Sequence, residues 1–222
     1  GGGTTPPPSS GADYPQHIIV DKASTYTGTF SNVQLSGSKL VLSSGATSGT
    51  YTSKQFSSAI SFTKMVGSWS ATYPATSATV EVQFRLKIGS TWTSYLSYRQ
   101  WAKGKTNSAV DTSVSGAKIS CDEIYTTGSA ATGFQYTVTL RRASATSSSP
   151  QLSLVAATLY NSGRNTASIY DVTQYPTSKV YSVERLYQYS VSGIGGIICS
   201  PTTSTMLLKW KGATAFGGYT YP

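Results

Sequence analysis

At 222 residues the chain has the length for one large β domain, or for one domain and part of another, with room for a sizeable core. Only 11% of its residues are charged, while Ser, Thr, Gly and Tyr are plentiful, a mixture that suits strands joined by many turns and argues against a helical cytosolic enzyme. The formal charge is +9, and residues 24–165 hold twelve Lys/Arg against four Asp/Glu. No run of basic residues occurs, so the excess reads as solvated surface and no nucleic-acid partner is expected.

Residues 1–23 read as a flexible tether. Gly1 to Gln16 is rich in Gly, Thr, Pro and Ser and has too little apolar surface to fold. Such a leader commonly follows a removed signal peptide or a lipid-modified cysteine. The expected location is therefore extracellular or at the cell surface, with membrane contact only through a lipid anchor. No stretch approaches the ~18–20 apolar residues needed to span a bilayer.

Residues 24–165 have a period of two. In Ala78–Ile88, Val80, Val82, Phe84, Leu86 and Ile88 alternate with Glu81, Gln83, Arg85 and Lys87, as a half-buried strand requires. Phe134–Arg141 repeats the pattern. Shorter runs at 27–30, 39–42, 49–52, 60–63, 67–71, 94–99 and 152–160 add strands. Turn signals such as Ser36-Gly37, Ser44-Gly45 and Gly89-Ser90 separate them. Short antiparallel strands in this number predict a mainly β fold, an antiparallel sandwich of jelly-roll type.

Asn161–Thr166 reads as a linker, and a second domain begins near residue 170. Gln174–Lys179 is loop-like, Arg185–Tyr189 strand-like or irregular, and 200–211 helical. Ser200 suits the N-cap, Pro201 the first helical position, and Gly212 the stop. Gly212–Pro222 reads as a loop. The domain of 170–222 is expected to be incomplete, with its remainder outside this chain.

Chemistry points to few places. Cys199 follows a glycine-rich turn, Gly193–Gly196, and opens the expected helix, where backbone dipoles favour the thiolate. That turn lacks the spacing of a dinucleotide fingerprint and the Lys of a P-loop, so no phosphate-bearing cofactor is expected. Asp122–Glu123 is the one acidic pair of the sandwich, without the ladder a calcium site needs, so no metal is expected. Cys121 reads as a semi-buried thiol with no disulfide framework around it. Trp69 and Trp101 read as core residues, and Trp92, beside a turn, as the surface candidate for binding.

The residues Gly49–Ser53, Phe62–Ala71, Val80–Lys87, Trp92, Trp101 and Phe134–Leu140, followed by Gln188 and Cys199-Ser200-Pro201-Thr202-Thr203, resemble bacterial proteins of the peptidase C thirty-nine-like family. In that family a β-sandwich precedes a papain-like α+β cysteine peptidase domain. The resemblance covers nearly all of 24–222. It implies that Cys199 is the nucleophile and that Gln188 is the oxyanion-hole donor, acting on a peptide or protein substrate. The family also supplies a His base and an Asp or Asn downstream of the cysteine. Here the only histidine is His17, at the edge of the tether, so the chain alone is expected to be inactive. The alternative is a non-enzymatic module whose sandwich binds a cell-wall polymer or another glycan through Trp92.

Overall fold

The computed structural model describes residues 16–105, 110–161, 163, 182–190, 193, 199–212, 215–216 and 219–220. The chain divides into two compact units, Gly1–Tyr170 and Asp171–Pro222.

The first unit is an antiparallel β-sandwich. Its strands are β1 (Gln16–Lys22), β2 (Thr29–Ser31), β3 (Val33–Ser36), β4 (Lys39–Leu42), β5 (Ser48–Thr52), β6 (Phe56–Phe62), β7 (Lys64–Thr72) and β8 (Thr79–Ile88). There follow β9 (Thr91–Trp92), β10 (Leu96–Trp101), β11 (Val110–Val114), β12 (Ala117–Cys121), β13 (Glu123–Thr126), β14 (Ala131–Arg141) and β15 (Gln151–Tyr160). One sheet runs β11-β12-β13-β7-β15-β4-β3, with β1 also on β15. The other runs β10-β8-β14-β5-β2, with β6 on β14 and β9 on β8. A single apolar cluster draws on both sheets: Leu40, Met65, Ile119, Ile124 and Val155 meet Tyr51, Val82, Phe84, Phe134 and Val138.

The alternation in Ala78–Ile88 is realised as expected. Val80, Val82, Phe84 and Leu86 are buried, while the residues between them are only partly covered. β14 is central, flanked by β8 along 133–141 and by β5 and β6 on its other edge. Even its outward-facing Gln135 is buried, under the Arg85 guanidinium that it accepts at 2.9 Å. The turns form where glycine permits a positive φ: Gly37 (57°) joins β3 to β4, and Gly89 (60°) joins β8 to β9.

Two readings change. β1 begins at Gln16 and pairs with β15 from Gln16↔Tyr160 to Lys22↔Leu154, so 16–22 is sheet although it lay within the expected tether. The alternation of His17, Ile19 and Asp21 with Ile18 and Val20 is short, but it finds a ready-made edge. Cys121 is exposed, not semi-buried, because it ends β12 with φ at 56° and turns out of the sheet. Residues 1–15, most of the linker after Asn161 and the loop Gln174–Lys179 lie outside the described residues.

In the second unit, Gln188–Ser190 forms a 3-10 turn and α1 spans Cys199–Trp210. Gly212, φ 85°, ends the helix by donating its N–H to the Lys209 carbonyl at 2.9 Å, the left-handed stop that glycine favours. Lys209 in the last turn also pairs with Glu184 at 2.8 Å. The expected C-terminal loop contains two short paired strands, β16 (Ala215–Phe216) and β17 (Tyr219–Thr220).

Candidate functional site

Cys199 is the first residue of α1, two residues before the Pro201 start that a Ser200 cap would give. Pro201 still falls in the first turn, where a missing N–H breaks no helical bond. The turn before the cysteine lies outside the described residues except for Gly193, whose φ of 81° is of the glycine kind. Gln188 opens the 3-10 turn, which the Ser190 N–H and hydroxyl close on the Tyr187 carbonyl at 3.1 and 2.7 Å. The second unit thus carries both residues at the starts of helical segments. His17 belongs to the other unit, in β1, its Nδ1 at 3.5 Å from Ser58 Oγ.

The basic pair Arg141–Arg142 is committed to the fold. Arg141 pairs with Glu81 at 2.9 Å. Arg142 donates to the carbonyls of Ala46, Ser147 and Ser43 at 2.8, 2.7 and 3.4 Å, tying two loops together. Trp92 is half-buried with the Arg85 guanidinium 4.8 Å from its ring centre, so one face of the indole is already engaged. Glu123 pairs with Lys64 and accepts from the Tyr125 hydroxyl. Among the described residues no group of three or more His, Cys, Asp and Glu gathers.

A second place was missed. Between the open end of β7 and the edge strand β10 lies a cavity of about 380 Å³, lined by Val66, Gly67, Trp69, Tyr73, Tyr98, Trp101 and Asp122 among others. Trp69 meets Tyr98 and Trp101 edge-on, with ring centres at 5.7 and 6.0 Å. Trp101, expected in the core, is 36% exposed. A register shift in β10 between Ser97 and Gln100, with Arg99 at φ 64°, pairs Trp101 with the buried Val80 and so sets it on that face, toward Trp69, at the open edge of the sheet. Such a bulge flips the residues after it to the other face. The signal was in the sequence: alternation holds through Leu96 and Tyr98 and fails at Gln100-Trp101.

The polar edges of these rings are all turned to protein. The Trp69 Nε1 donates to the Tyr73 hydroxyl at 3.2 Å, and the Trp101 Nε1 to the Tyr98 carbonyl at 2.8 Å. The Tyr98 hydroxyl accepts from the Gly67 N–H at 2.8 Å and donates to the Asp122 carbonyl at 2.9 Å. Burial pushes the Tyr98 phenol up to about 12; the Gly67 hydrogen bond opposes this, and the charges of Asp122 and Glu123 add to it. Of the three non-glycine residues with positive φ among those described, Arg99 and Cys121 directly adjoin lining residues. Backbone strain of this kind gathers where the surrounding structure fixes a particular geometry.

A family model described as the Peptidase C39 N-terminal domain matches residues 43–159. Among solved structures, one from infectious bursal disease virus, titled for its Gt strain, is similar at 10% identity and a TM-score of 0.32. The likeness covers 67% of this chain and 33% of that one, so the chain spans about a third of that structure's length. A comparison with curated proteins finds no match.

Proposed function

The chain belongs to the family of the Peptidase C39 N-terminal domain, and from that premise we propose that its sandwich is the front domain of a secreted or surface-anchored cysteine peptidase whose nucleophile is Cys199. The observation that carries this is the place of Cys199 as the first residue of α1, in a chain whose sandwich is that of a peptidase-associated region. In general, a thiol at a helix N-terminus meets the positive end of the backbone dipoles, which favours the thiolate.

In this reading the Cys199 thiolate attacks a peptide carbonyl carbon. The C–N bond breaks, an acyl-enzyme thioester forms, and the amine leaves with a proton from a general acid. Water then hydrolyses the thioester. Gln188 and the Cys199 N–H serve the oxyanion, where preorganised donors are worth most. The family's general base is a His; the one histidine of this sequence, His17, stands in β1 of the sandwich.

Cys121 supplies an internal reference for the test, because it is a free and exposed thiol. Exposure opens Cys121 to the reagent; thiolate activation would favour Cys199. With limiting iodoacetamide at about pH 6.5, where an ordinary thiol is some two units below its pKa, peptide mapping is expected to find Cys199 alkylated first. Cys121 labelled first would overturn the assignment of the nucleophile. In the peptidase carrying both domains, Cys199→Ala is expected to abolish peptide hydrolysis.

A further inference from the structure

We infer that the aromatic cavity beside β7 and β10 binds the cationic side chain, lysine or arginine, of an extended peptide. The inference rests on the sandwich alone and stands or falls separately from the assignment of Cys199.

The nature of the occupant follows from what the lining leaves on offer. The indole N–H groups of Trp69 and Trp101 and the Tyr98 hydroxyl are all spent on protein partners. A sugar, which needs many donors and acceptors beside its stacked face, would find few. Beside Ser68 and the Tyr73 hydroxyl, what remains is chiefly π surface, from rings set edge-on to one another. The negative faces of indole and phenol rings attract a desolvated cation. The lining includes the charged Asp122, which precedes Glu123 in sequence and whose carbonyl accepts from the Tyr98 hydroxyl. In a chain of formal charge +9 the lining thus holds an acidic residue among aromatic ones.

The strand edge indicates a peptide over a free small cation. β7 pairs with β15 along its whole length but with β13 only at Lys64–Val66. From Gly67 onward that side of β7 has no strand among the described residues. Alternation puts the Trp69 N–H and C=O on the same side as the Gly67 N–H, which Tyr98 already takes. An extended segment pairing there by strand addition would set one side chain into the cavity, whose 380 Å³ is near the lower limit for a ligand pocket.

The test uses the whole chain and a fluorescent, end-blocked pentapeptide with one central arginine among glycine and serine, read by polarisation. Its counterpart carries citrulline, which has nearly the same shape and no charge. The arginine peptide is expected to bind and the citrulline peptide to bind about tenfold more weakly or less. Asp122→Asn keeps the backbone carbonyl that Tyr98 uses, and is expected to weaken binding several-fold with an unchanged melting temperature. Trp101→Ala is expected to do the same, and Trp101→Phe, which keeps a ring, to recover most of it. Equal binding of the two peptides, no binding up to about 1 mM, or indifference to Asp122→Asn would overturn the proposal. Competition by tetramethylammonium as strong as that of unlabelled peptide would overturn the peptide in favour of a small cation. Competition by an N-acetylglucosamine oligomer would overturn it in favour of a glycan.

Discussion

The Tyr136 hydroxyl donates a 2.6 Å hydrogen bond to the Asp21 carboxylate through the interior of the sandwich, joining β14 of one sheet to β1 of the other. Both groups are nearly inaccessible, Asp21 at 7% and Tyr136 at 1%. Tyr51, stacked on Tyr26 at 4.3 Å, stands next to them. A carboxylate in such a place anchors the N-terminal strand by a polar contact where apolar packing would leave its register loose.

The same placement fixes a pH dependence. Burial raises the Asp21 carboxyl above its ordinary 3.8, and the Tyr136 hydrogen bond and the Lys54 charge pull it back only in part. The folded chain therefore holds this proton to higher pH than the unfolded chain does. The stability it contributes is full below 3.8 and declines as pH rises through the raised value. Asp21→Asn removes that titration and keeps an acceptor for Tyr136. Urea unfolding of variant and parent from about pH 3 to about pH 7 should show their difference moving in the variant's favour as pH rises. A difference that is flat, or moves the other way, would contradict a raised Asp21.

Much of this architecture was legible because burial of one face imposes a period of two. β8, β14 and β15 carry that period over ten or more residues and stood out at once. β3, β11 and β13 are four or five residues long, too short for alternation to separate them from loop; their pairing comes from neighbours distant in sequence. β1 was missed for a related reason, since Ile18 and Val20 are exposed at 61% and 51% and a mixed apolar run of that length defines no inward face. The cavity was hidden more deeply. It depends on Tyr98 reaching from one sheet to Gly67 in the other, and on a bulge that sets Trp101 on the face of Val80; both are relations between strands. The start of α1 was legible to within two residues because a helix start is written in consecutive residues.

At Gly67 on β7, side chains of the opposite sheet come up against the backbone. A Cβ there would lie 2.4 Å from Phe84 Cε2 and 2.9 Å from Tyr98 Cε2. Phe84 is fully buried and packed edge-on against Tyr98 at 5.8 Å, so neither ring has space to yield. Gly67→Ala should cost about 1–3 kcal/mol, the range for overpacking a filled core. Gly128→Ala is the control: nothing lies within 4 Å of its Cβ position and its φ is not positive, so its effect should stay within about 0.5 kcal/mol. Equal midpoints for the two variants in urea unfolding would refute the close approach of the sheets.

Tyr98 closes the place where the ladder between β13 and β7 stops. Tyr98→Phe keeps the ring but leaves the Gly67 N–H without its acceptor and the Asp122 carbonyl without its donor. At neutral pH the loss should be about 1–3 kcal/mol, the cost of unsatisfied buried groups. The phenol supplies a second signature. Its folded value is raised from 10.0 to about 12, so above pH 10 the unfolded chain gives up this proton first. The stability tied to Tyr98 is therefore complete below 10 and is lost as pH climbs toward 12. The gap between parent and Tyr98→Phe should accordingly shrink across that interval, by an amount on the order of 2–3 kcal/mol for a two-unit shift. Tyr51, also raised to about 12, titrates alike in both proteins and cancels from the difference. A gap that stays constant from about pH 9 to about pH 11.5 would mean that the hydroxyl is not held between Gly67 and Asp122 in solution.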